Sequence, residues 1–110
     1  MTDFELRERV GELTGRSLPA KVRVFSDTSD FMDISPGDLM LIGGRHYYVY
    51  GEEREGRFGI DEQPKLWVKR AWDLEAGERK IIKLAFFESF KMTLGEVAVE
   101  CFRSPRKEAR

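Results

Sequence analysis

The chain has one cysteine, Cys101, one histidine, His46, and four prolines among its 110 residues. No stretch approaches the ~20 consecutive apolar residues that a membrane-spanning helix needs. A lone cysteine excludes an intramolecular disulfide, and with a single histidine no Cys/His cluster can assemble around zinc. Cys101 therefore reads as a small, half-buried thiol, and His46 as a residue on a strand surface. The opening Met1-Thr2-Asp3-Phe4-Glu5 lacks the basic segment and apolar run of a secretion signal, so a cytoplasmic location is expected. An excess of charge is missing too. Nineteen Lys plus Arg stand against twenty Asp plus Glu, a formal net charge of -1. No global field then draws the chain to nucleic acid or to an anionic membrane, and neither is an expected partner.

What is present suits one folded core. Apolar residues make up 41% and charged residues 35%, enough to bury a hydrophobic interior and keep a hydrated exterior. Neither a repeat nor a low-complexity tract is visible. The fold class expected is α+β: a mainly antiparallel sheet of about three hairpins, an amphipathic N-terminal helix, and the start of a helix at the C-terminus.

The spacing predicts the first helix over residues 3–14. Thr2 and Glu5 have the spacing of a capping box, Leu6, Val10 and Leu13 recur on one face, and Gly15 follows as a C-terminal cap. Gly11 inside it costs about 1 kcal/mol relative to alanine, so the helix depends on docking. After Pro19 the period becomes two, with Val22 and Val24 opposite Lys21, Arg23 and Phe25. Leu39 to Ile42 and Arg45 to Tyr50 flank Gly43-Gly44, a hairpin signature. Residues 51–64, charged and rich in glycine, read as a loop or a long twisted hairpin tip. Lys65 to Ala71 and Lys80 to Phe87 then form a second hairpin around Glu75-Ala76-Gly77-Glu78. Over 86–102 the alternation of Val97, Val99 and Cys101 favours a third hairpin turning at Leu94-Gly95, with a helix over 96–102 as the alternative. Ser104-Pro105 then has the form of a helix start. That ending suggests the front end of a longer polypeptide.

The run from Trp67 to Leu84 carries a more specific pattern. Ala71, Asp73, Gly77, Glu78, Ile82 and Lys83 fall in register with Ala-x-Asp-x-x-Thr-Gly-Glu-x-Val-Ala-Ile-Lys, and the segment resembles the second and third strands of a protein-kinase small lobe. Ala76, Lys80 and Ile81 depart from the pattern. The resemblance spans residues 47–110, with 1–46 as an N-terminal extension. It implies that Lys83 neutralises the α- and β-phosphates of ATP and that Glu108, or less typically Glu88, holds this lysine in place. Gly56-Arg57-Phe58-Gly59 resembles the second half of the glycine-rich loop, so Gly56, Phe58 and Gly59 would close over the phosphates. Arg54 stands where the first glycine of that loop belongs.

No His-Arg-Asp or Asp-Phe-Gly sequence occurs, so the chain alone transfers no phosphoryl group, and ATP and Mg are implied only for an active parent with a second lobe. That parent would be a serine/threonine-type kinase or a pseudokinase. The second reading is a β-rich interaction module without catalysis, binding a protein through a sheet edge or pairing as a homodimer. Tyr47, Tyr48, Tyr50, Phe58, Trp67 and Trp72 could stack bases in a small barrel beside Arg45, Lys69 and Arg70, but alternating aromatics in strands are more often core pairs.

Overall fold

The computed structural model describes residues 1–56, 64–85 and 92–103. Helix α1 (Asp3–Thr14) is followed by strands β1 (Val24–Phe25), β2 (Leu39–Ile42), β3 (Arg45–Gly56), β4 (Pro64–Asp73) and β5 (Glu78–Ala85), then by helix α2 (Leu94–Arg103). The five strands form one sheet in the order β1-β2-β3-β4-β5. All neighbours are antiparallel except β1 and β2. The architecture is α+β, as the patterning predicts.

Helix α1 begins where its capping box places it. Thr2 Oγ1 accepts from the Glu5 N–H at 3.1 Å, and Glu5 Oε1 accepts from the Thr2 N–H at 2.9 Å. Gly15 closes the helix in the left-handed region at φ 76°. Arg7 then ties the helix to the segment that follows, its guanidinium donating to the carbonyls of Leu18, Pro19 and Ala20 at 2.9–3.1 Å. The β2–β3 turn needs positive φ at two successive residues, and Gly43 and Gly44 supply it at 56° and 85°.

The two sheet faces are covered by different elements. On one face Val10 and Leu18 pack with Leu39, Tyr48 and Leu74. On the other, Met40, Ile42, Val49, Ala71, Ile82 and Leu84 meet Phe31, Ile34 and the α2 residues Leu94, Val97 and Ala98. A single 3₁₀ turn, Phe31–Asp33, carries Phe31 into that core.

Two expectations are corrected. The strand expected after Pro19 shrinks to two residues, and Val22 and Val24 do not share a buried face: Val22 packs under α1, while Val24 is exposed. The third hairpin expected across Leu94-Gly95 is instead helix α2. Leu94, Val97, Ala98 and Cys101 recur at helical spacing toward the sheet, and that face outweighs the alternation of Val97, Val99 and Cys101. Thr93 caps the helix, its Oγ1 accepting from the Glu96 N–H at 3.3 Å and donating to Glu96 Oε2 at 2.7 Å. The loop before the 3₁₀ turn supplies two more acceptors, Ser29 O for Leu94 N–H and Asp27 O for Gly95 N–H. Glycine at 95 suits this close contact, since a Cβ there would lie 3.0 Å from Asp27 Cβ and 3.2 Å from its carbonyl oxygen and would press the loop outward. The helix start expected at Ser104-Pro105 lies outside the described residues.

Candidate functional site

Successive strand residues point to opposite faces, so Ile82 and Leu84 turn to the α2 side and Lys83 to the α1 side. Helix α1 covers only part of that second face. Beyond it, Ile81 is 41% exposed and Lys83 is exposed, with Arg70 and buried Val68 as their cross-strand partners on β4. Arg70 Nε donates to Glu53 Oε2 at 2.9 Å. Arg79 lies with its guanidinium carbon 5.6 Å from the Trp72 ring centre, and Trp72 in turn packs 6.1 Å from Tyr50, tilted by 46°. A basic strip with aromatic backing thus runs along β4 and β5.

The peptide of Lys83 is held separately from its side chain. Cys101 on α2 accepts from the Lys83 N–H at 3.0 Å and donates to its carbonyl at 3.2 Å. The half-buried thiol read from the sequence therefore clasps the outer edge of β5. Helix α2 lies on the face opposite the Lys83 side chain, and Glu96 is engaged by Thr93. The glutamate implied to hold Lys83 is thus not supplied by Glu96. Of the other residues implied by the resemblance, Gly56 ends β3 opposite Pro64, while Phe58, Gly59, Glu88 and Glu108 lie outside the described residues.

Lys69, set beside Arg45 and Arg70 for phosphate contact in the base-stacking alternative, turns inward instead. Lys69 is fully buried on the α2 face, where its ammonium donates to the Ile34 carbonyl and to Glu52 Oε2 at 3.0 Å, and lies 4.9 Å from the centre of the Phe31 ring. Period two was the available signal, since Trp67, Lys69 and Ala71 alternate onto one face. The lysine fastens the 31–34 segment to the sheet and leaves no donor aimed at solvent.

The pattern residues around Asp73 are explained by turn chemistry. Asp73 Oδ1 accepts from the N–H groups of Glu75 and Ala76 at 3.1 and 3.0 Å, and Gly77 takes φ 73°. Arg45 donates to both Asp73 oxygens at 3.1 and 2.9 Å. Tyr47 beside them is pushed up from its ordinary pKa, first by burial and then by the negative charge of Asp73. His46 completes this end of the sheet: its N–H donates to Glu75 Oε1 at 2.9 Å and its Nδ1 lies 3.1 Å from Oε2.

Burial alone would raise the Glu75 carboxyl, but hydrogen bonds from the His46 backbone and ring outweigh it and hold the carboxyl below its ordinary 4.5. A folded-state pKa below the unfolded one gives stability that is present above pH 4.5 and is lost as pH falls through the folded value. Glu75→Gln removes that titration. The Tm gap between wild type and Glu75→Gln is therefore expected to narrow as the pH falls below 4.5. A gap that widens in acid would show that the carboxylate is not the stabilising form.

No group of His, Cys, Asp and Glu suited to a metal ion exists among the described residues. None of the helices among them is long and apolar enough to cross a membrane. Set against known proteins, the chain matches no family model, no curated protein and no solved structure.

Proposed function

We propose that this chain is the nucleotide-facing small lobe of a protein-kinase-like polypeptide, located in the cytoplasm, with Lys83 as its phosphate-contacting lysine. The observation that carries the reading is the placement of Lys83. It projects from β5 onto a part of the sheet face that no other described element covers, across from buried Val68, and follows two successive hairpins, the first reaching Gly56 and the second turning at Gly77.

A lysine in this position supplies a point charge for α- and β-phosphate oxygens, with exposed Ile81 beside it as an apolar contact for the rest of the nucleotide. Glu108 is the carboxylate assigned to hold that ammonium in place. The 110 residues furnish one wall of a cleft, and a second lobe must bring the base and the metal ligands before any phosphoryl transfer takes place.

The test is calorimetric titration of Mg·ATP into the native polypeptide that carries these residues, purified from its own cells, beside its Lys83→Met form. Loss of one charge-assisted phosphate contact, about 1.5–3 kcal/mol, is expected to weaken binding at least ~10-fold. A wild-type protein that binds no ATP, or a variant that binds it equally well, overturns the reading.

A further inference from the structure

We propose that the outer edge of β5 is a docking strip for an extended acidic peptide, which adds to the sheet as a further strand. This inference does not rest on nucleotide binding. Among the described residues β5 is the last strand of the sheet, and its pairing with β4 runs without a shift from Leu66↔Ala85 to Asp73↔Glu78. In such a ladder, residues whose N–H and C=O both point away from the partner strand recur every second position.

The Cys101 contacts identify which positions these are. The thiol meets both the N–H and the C=O of Lys83, so Lys83 points outward, and Arg79 and Ile81 share its parity. At Lys83 the edge is closed by α2. At Arg79 and Ile81 no described residue outside β5 takes the outward backbone groups.

The side chains above this edge say what would fit it. Arg79, Ile81 and Lys83 lie on one face in the order cation, apolar, cation, and all three are exposed. Neither cation has an ion-pair partner among the described residues. An incoming strand with carboxylates at alternate positions and an apolar residue between them sets opposite charges across the new ladder, the favourable cross-strand arrangement. A second copy of β5 paired antiparallel about Ile81 does the reverse, placing Arg79 against Lys83. Like charges directly opposite are destabilising.

The experiment follows backbone amide shifts of the 110-residue chain while an acetylated, amidated Glu-Val-Glu-Val-Glu peptide is added, with Lys-Val-Lys-Val-Lys as control. The acidic peptide is expected to shift the amides of Arg79 and Ile81, while the basic one leaves them in place. Arg79→Glu is expected to raise Kd at least ~10-fold. Its spectrum away from β5 reports that the fold is kept, because Arg79 is a surface residue. The proposal is overturned by unmoved Arg79 and Ile81 amides or by equal shifts with the basic peptide. Shifts that follow protein concentration instead of peptide would assign the edge to self-association and overturn it as well.

Discussion

Lys69→Ala is expected to destabilise the fold by about 4 kcal/mol, and Lys69→Met and Glu52→Gln by about 2 kcal/mol each. The ordering follows from what each change leaves behind. Methionine refills the volume under the Phe31 ring but orphans the buried Ile34 carbonyl, which loses its ammonium donor. Alanine does the same and also opens a cavity lined by Phe31 and its neighbours. Glu52→Gln still offers an amide oxygen, but it leaves the fully buried Lys69 ammonium without its counter-charge, and the 29% exposure of the Glu52 side chain offsets only part of that loss. Urea titrations of the three variants check this, with the slope expected to stay constant. A Lys69→Met variant as stable as wild type would show that apolar packing alone holds the 31–34 segment to the sheet.

Asp73→Ala is expected to cost about 3 kcal/mol, and Asp73→Asn only about 1 kcal/mol. Alanine strands the N–H groups of Glu75 and Ala76 and frees Arg45, all at a position that is 2% exposed. Asparagine still offers an oxygen to the two turn N–H groups and loses only the charge facing Arg45. That guanidinium is half exposed, and an ion pair with one solvated partner contributes little. If Arg45→Ala is as damaging as Asp73→Ala, the ion pair and not the turn carries the energy. The same measurements bear on the kinase resemblance, since Asp73 and Gly77 belong to its pattern, and turn chemistry by itself requires both residues here.

What could be read from the sequence was whatever local chemistry decides. Thr2, Glu5 and Gly15 delimit α1 through bonds made within one or two turns, and Gly43-Gly44 and Gly77 delimit the hairpins through positive φ. For α2 the sequence leaves a strand and a helix over 96–102 in competition, because Val97, Val99 and Cys101 satisfy period two as well as Leu94, Val97, Ala98 and Cys101 satisfy the helical period. Only the tertiary contact with Ile82 and Leu84 breaks the tie. Lys69 was hidden for a related reason. Its charge argues for solvent, and its burial depends on an acceptor from Ile34, 35 positions away. Lys83 could be named from a motif. Its position on the face away from α2, and the clasp on its peptide by Cys101, needed coordinates, because both depend on where the helix lands.

The sheet order has a kinetic meaning. Each antiparallel strand pairs with its neighbour in sequence, so these ladders close short loops, at a small entropic cost that favours early formation. The parallel β1–β2 pair is the exception. The 26–38 segment that links its two strands carries Phe31 and Ile34 into the core. Lys69 and the α2 N-terminus both grip this segment, one through the Ile34 carbonyl and the other through Asp27 and Ser29. The one segment that the local hairpins do not place is thus the one that secures both the helix and the buried charge.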